Sequence, residues 1–218
     1  MGVARLVCVE GIDGAGKSTL VQALVAELAR LGVRATSLHA RSLVQLSLGE
    51  RDTLDTLGEL TLQDRAFVSF SRLYSHYCNR VASQLAGCDL VLMDRYKWSV
   101  LVRWGCYGVN WGMLCSLAAG FDLLPHADHT LLLAASPADA YDRKKAAGIA
   151  LTRPELGMRT LARSEREAFV ALQTQAQGFY ADLHLHARAG SVTQIDTGSG
   201  PQAALAQALA VLGPLLSR

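Results

Sequence analysis

The clearest chemistry lies in one short run, Gly11-Ile12-Asp13-Gly14-Ala15-Gly16-Lys17-Ser18, followed by Thr19. Its spacing, Gly-x-x-x-x-Gly-Lys-Ser, is that of a loop that cradles phosphates. The glycines let successive backbone N–H groups turn inward as an anion nest, and a helix opening behind them adds the positive end of its dipole. Lys17 would reach the β- and γ-phosphates of a nucleoside triphosphate, and the Ser18 hydroxyl would ligate Mg²⁺. ATP and Mg²⁺ are therefore the expected cofactors, with Gly11, Asp13, Gly14, Ala15, Gly16, Lys17, Ser18 and Thr19 around the phosphates. Such a site needs a second half, an acid at the end of a neighbouring strand. Asp94, closing Leu90-Val-Leu-Met-Asp94, fits the metal-holding position. An Asp there could also simply begin a turn, but Arg95 and Tyr96 follow it and favour the functional reading.

Positioning these groups requires a strand before the loop and a helix after it. Arg5-Leu-Val-Cys-Val-Glu10 is a short apolar run of the kind buried in parallel sheets. Leu20, Leu24, Leu28 and Leu31 recur at helical spacing, and Gly32 marks the stop. Further strands are predicted over 34–39, 88–94, 129–134 and 192–195, and helices over 62–86, 163–186 and 201–216. The mixed stretch from 42 to 61 is left unassigned. Strands alternating with helices predict an α/β fold of the P-loop NTPase type, a five-stranded parallel sheet with helices on both faces. No linker or repeat interrupts residues 1–218, so one domain is expected.

Composition narrows the partners. A net charge of +2 gives no global basic field, which argues against a nucleic acid polymer. All but four of the 21 lysines and arginines are arginine, a bias that a GC-rich genome produces and that also supplies forked phosphate ligands. Five cysteines without a C-x-x-C pair fit neither a disulfide framework nor a zinc site and suit a reducing cytosol. No basic-then-apolar leader precedes the first strand, so a cytoplasmic location is expected. The apolar stretch from Gly108 to Phe121 is too short to span a bilayer and reads as a buried helix or a subunit interface.

Four landmarks in order resemble the thymidylate kinase family, and the likeness spans most of the chain. They are Val9-Glu-Gly-Ile-Asp-Gly-Ala-Gly-Lys-Ser-Thr19, Ser71-Arg72 in a long helix, Asp94-Arg-Tyr-x-x-Ser99, and Leu124-Pro-His-Ala-Asp128 before a strand. The resemblance implies that Arg95 contacts the transferring phosphoryl group, Arg72 sits over the acceptor base, and Asp13 lies near the acceptor sugar. It also implies a mobile lid that supplies an arginine, because this loop has Gly14 and Ala15 where one could stand. Arg143, Lys144, Lys145, Arg153 and Arg159 cluster in a segment from about 143 to 163, and Arg153 is taken as the catalytic candidate. A homodimer is implied by the same analogy.

The acceptor half departs from the family pattern. Arg41-Ser42-Leu43 keeps only the arginine of Arg-Glu-Pro, and Val102-Arg103-Trp104-Gly105 stands where the family has Ala-Tyr-Gln-Gly. The acceptor set is therefore Asp13, Arg41, Arg72, Arg95, Tyr96, Arg103 and Trp104; Trp104 is equally readable as a core or interface residue, and Trp111 is read as one. The expected activity is a small-molecule kinase acting on a nucleotide-like acceptor, dTMP or a modified pyrimidine nucleotide. Two alternatives stand beside it. One is a kinase for a hydroxyl of a nucleoside-like or aminosugar-containing metabolite, with Asp13 or an acid between Glu50 and Asp55 as base. The other is a non-catalytic nucleotide-binding module.

Overall fold

A computed structural model describes residues 4–39, 61–78, 87–120, 126–157, 164–185, 187 and 190–216. Arg41 and the acids between Glu50 and Asp55 lie outside them. Among the described residues five strands form one sheet: β1 (Arg5–Gly11), β2 (Ala35–His39), β3 (Leu90–Asp94), β4 (His129–Ala134) and β5 (Val192–Asp196), in spatial order β2-β3-β1-β4-β5. Every pairing is parallel. The three inner strands are apolar and buried almost throughout, whereas the edge strands β2 and β5 are only partly covered. That difference explains why continuous apolar runs marked the centre of the sheet and weaker patterns marked its edges.

Alternation along the strands assigns the two faces. Val7 and Val9 of β1 and Leu90 and Leu92 of β3 pack in one cluster with helices α1 (Lys17–Arg30) and α8 (Pro201–Leu216). Leu6 and Cys8 of β1 and Val91 and Met93 of β3 face the opposite cluster, with Leu73 of α2 (Leu62–His76). Helices therefore cover both faces, as the strand–helix alternation predicts. Thr61 starts α2 with a reciprocal cap: its hydroxyl accepts from the Asp64 N–H, and the Asp64 carboxylate accepts from the Thr61 N–H. Of the helix predicted over 62–86, residues 79–86 fall outside the described set.

A third cluster joins α2 to α3 (Lys97–Cys106) and α4 (Trp111–Gly120) through Ala66, Phe70, Leu101 and Leu114. The apolar stretch after Gly108 is thus a helix whose Leu114 is wholly buried. The remaining elements are α5 (Pro137–Ala146), the four-residue α6 (Arg153–Leu156) and α7 (Glu165–Leu185). No helix among the described residues is long and apolar enough to cross a membrane.

Phe169 of α7 is fully buried in the main cluster and packs near Tyr141 of α5. Truncating it leaves a cavity in close-packed surroundings. Phe169→Ala is expected to lower the unfolding free energy by about 3–5 kcal/mol, read from urea denaturation. A loss below about 1 kcal/mol would show that this helix is not part of the core.

Candidate functional site

The sheet register brings the chemistry together. Val9 and His39 are both paired with Asp94, so the carboxyl ends of β1, β2 and β3 arrive side by side where the glycine loop leaves β1. Ligands of open parallel sheets bind beyond these strand ends. The loop itself demands glycine at two positions. Gly11 has φ 140°, and a Cβ there would stand 2.9 Å from the Leu133 carbonyl oxygen; at Gly14, with φ 80°, it would stand 2.7 Å from that of Ala140. No side chain caps the first turn of α1, so its N-terminal N–H groups face the loop.

Lys17 is 4% exposed and its ammonium donates to the Gly11 carbonyl at 2.7 Å and to that of Ile12. Burial, with the nearby Arg95 charge, lowers its pKa to about 7, against the opposing pull of Asp13, Asp94 and Glu10. The Ser18 hydroxyl donates to Asp94 Oδ2 at 2.5 Å, and His39 Nε2 lies 3.4 Å from the same oxygen. Asp94 Oδ1 is buried and has no hydrogen-bond partner. A hydroxyl and an orphaned carboxylate oxygen are hard donors of the type Mg²⁺ takes, so Ser18 and Asp94 fit that ion.

Arg95 is the one described non-glycine residue with positive φ, at 73°. That conformation costs of order 1–3 kcal/mol and survives only where its surroundings fix it. Here the surroundings do. The Arg95 N–H donates to the Val9 carbonyl at 3.0 Å, and the buried Glu10 Oε1 accepts from the N–H groups of Tyr96 at 2.7 Å and Ser99 at 3.3 Å. Glu10 Oε2 accepts from the Ser99 hydroxyl and, at 3.4 Å, from that of Tyr180. Burial pushes the Glu10 carboxyl up, while these donors pull it back.

So held, the Arg95 guanidinium bonds the Asp13 carboxylate, with the two side chains 15% and 13% exposed. Burial alone would raise Asp13, but the charges of Arg95, Lys17 and Arg103 outweigh it and keep the carboxyl well below the usual range. Gln173 Oε1 accepts from the Asp13 N–H at 2.9 Å and ties the loop to α7.

Two cavities meet at this ion pair. A cleft of about 910 Å³ is lined by Asp13 to Thr19, by Arg143 and Lys144 of α5, and by the turn from Thr197 to Pro201. A cavity of about 40 Å³ is lined by Gly11, Arg103, Tyr107 and Gln173 among others. Asp13 and Arg95 belong to both walls.

Of the predicted site residues, Asp13 to Thr19, Asp94, Arg95 and Arg103 converge here. Tyr96 does not: β3 ends at Asp94, and beyond the positive-φ turn at Arg95 its ring packs into the opposite core cluster with Val91 and Met93, at 3% exposure. Trp104 packs against the third cluster, edge-on to Tyr107 at 5.7 Å, and lines neither cavity. Arg72 stands half-buried on α2, also outside both linings. Trp111 bonds Asp182 at 2.6 Å and stacks near Phe179, joining α4 to α7. Of the cations in the segment predicted as a lid, Lys144 pairs with buried Glu155 at 2.8 Å and Lys145 with Glu165, and Arg143 and Lys144 both line the large cleft. Arg153 opens α6, and its side chain is outside the described set.

Glu10, Gln173 and Tyr180 went unassigned in the sequence reading. Their signal was a buried-strand acid and two polar residues seven apart on the buried face of a helix.

The thymidylate kinase family model matches residues 9–182. The chain belongs to the thymidylate kinase family. It is 32% identical over 143 residues to the thymidylate kinase of Xanthomonas campestris pv. campestris strain B100, covering 66% of this chain and 61% of that protein. It is 32% identical over 150 residues to that of Xanthomonas oryzae pv. oryzae strain PXO99A, with the same shares. The similarity thus spans 61% of the length of these curated relatives. Within the thymidylate kinase match fall the loop, Asp94-Arg95, Arg103 and Gln173 alike.

A lysine ammonium with a pKa near 7 is charged below that pH and neutral above it, and a polyanion beside it restores the charge. Lys17 in ¹³C-labelled protein is expected to titrate near pH 7 and to move upward when ATP is added. Titration above pH 10 in the free protein would contradict the burial of this ammonium.

Proposed function

We propose that the chain is a Mg-ATP-dependent kinase that transfers the γ-phosphoryl group to a nucleotide-like acceptor, dTMP or a modified pyrimidine nucleotide. The observation that carries this reading is the Asp13–Arg95 pair standing as a common wall between the phosphate-loop cleft and a second cavity. The large cleft has the volume of a ligand site, and Gly14 to Thr19 would hold the triphosphate there. Ser18 and Asp94 would hold Mg²⁺, which when bound neutralises phosphate charge during transfer. Arg95 would stabilise the transferring group from the boundary, where water is scarce and a fixed cation acts strongly. Family membership supports the same chemistry.

The state of Asp13 bears on the acceptor. A hydroxyl acceptor wants a general base whose pKa lies near the working pH. Asp13 is held far below that by three cations, so it is a poor base and a good orienting partner for Arg95. This favours an acceptor that is already an oxyanion. Lys17 lines the cleft and Asp94 stands behind it, bonded to the lining Ser18, which favours catalysis over a passive binding module.

The remaining proposals follow from the same reading. Residues 1–218 would act as one kinase domain, with the segment from about 143 to 163 as lid. The buried Lys144–Glu155 pair would brace the lid's base, and Arg143 or Arg153 would supply the catalytic arginine. Arg41 would bind the acceptor phosphate and Arg72 its base. The enzyme would be a cytoplasmic homodimer using α4.

An ATP-consumption screen over nucleoside monophosphates, nucleosides and aminosugars tests the acceptor class. Turnover is expected with dTMP or another pyrimidine monophosphate and little with neutral nucleosides. Brisk turnover of nucleosides or aminosugars alone would overturn the phosphate-acceptor reading, and silence across the panel would overturn the kinase reading.

A further inference from the structure

The small cavity beyond the Asp13–Arg95 pair has a composition that the proposed transfer does not use. Its volume of about 40 Å³ holds about three water-sized spheres, which is room for a carboxylate or phosphate group and not for a base. Arg103 of α3 borders it half-buried, and among the described residues its guanidinium makes no hydrogen bond or ion pair. Asp13 lines the same cavity, and the Arg103 charge helps to hold its carboxyl down. Gln173 spends its Oε1 on the Asp13 N–H, so what it can still offer is its amide N–H pair. Asp13 is already bonded to Arg95. Cys106, pushed up to about 12 by burial, adds a neutral thiol, and Val102, Leu172 and Ala176 close the wall with apolar surface. The net offer is N–H donors and one unspent positive charge in a partly dry setting, where a planar fork suits an oxyanion.

We infer that this cavity is a subsite for a second small oxyanion on the acceptor, held by Arg103 and Gln173. The inference rests on the nucleotide-acceptor reading for the source of the oxyanion, but its chemistry is local to the cavity. The acceptor class it names is a nucleotide carrying a further phosphate or carboxylate beside the phosphate that is extended.

Calorimetric titration of the full chain with dTMP, thymidine 3′,5′-bisphosphate and inorganic phosphate tests it, in wild type and in Arg103→Gln, with circular dichroism as the folding control. The bisphosphate is expected to bind at least about tenfold tighter than dTMP to wild type, as one charge-assisted pair provides. Arg103→Gln is expected to erase that preference by weakening bisphosphate binding more than dTMP binding. Equal binding of dTMP and bisphosphate by wild type, or a preference that persists in Arg103→Gln, overturns the inference. If neither nucleotide binds, the nucleotide reading fails, and inorganic phosphate decides the subsite. Binding of phosphate that Arg103→Gln abolishes keeps the subsite, and binding that is absent or indifferent to Arg103 removes it.

Discussion

The rest of the site depends on keeping opposite charges buried together at the carboxyl ends of β1 and β3. Lys17 and Asp94 are each under 5% exposed, and the side chains of Arg95 and Asp13 are mostly covered, at 15% and 13%. Removing such groups from water is costly unless every charge finds partners. The parallel register supplies them, by aligning Asp94 with Val9 and His39 so that the loop, the Asp94 carboxylate and the arginine turn share one corner. Glu10 adds the backbone clamp that holds Arg95 at positive φ. Each charge is thereby fixed before any ligand arrives, which is what makes an electrostatic site effective.

The same arrangement separates two kinds of information. The cleft floored by the glycine loop is built from backbone N–H groups, a helix end, a lysine and a hydroxyl, groups that suit phosphates whatever they are attached to. The cavity on the other side of the Asp13–Arg95 pair is built from side chains of α3 and α7, and these are free to vary with the acceptor. Arg103 illustrates this. It occupies a helix position whose neighbours Val102 and Gly105 serve the core, yet its own head lines the cavity.

What could be read from the sequence follows from range. The loop was legible because its eight residues act through their own backbone, and Asp94 because it ends a continuous apolar run. The five strands and the helices were legible from period alone, and the edge strands less so because one-sided burial weakens the pattern. Tyr96 was misplaced toward the acceptor because the positive-φ turn at Arg95, which sends the next ring into the opposite core, has no signal in the residue types. Trp104 was drawn into the site by standing with Arg103 where the family has Ala-Tyr-Gln-Gly, although one residue along a helix turns a side chain by about 100°. Glu10–Tyr180 and Asp13–Gln173 were illegible because their partners stand 170 and 160 residues apart and meet only through packing of α7.

Whether the glycine loop drives phosphoryl transfer is measured most directly by following label from [γ-³²P]ATP into acceptor with wild type and with Lys17→Ala. Loss of at least about a hundredfold in transfer is expected, as for removal of a single preorganised electrostatic contact, with the circular dichroism spectrum unchanged. Transfer at the wild-type rate in Lys17→Ala would contradict a catalytic site centred on this loop.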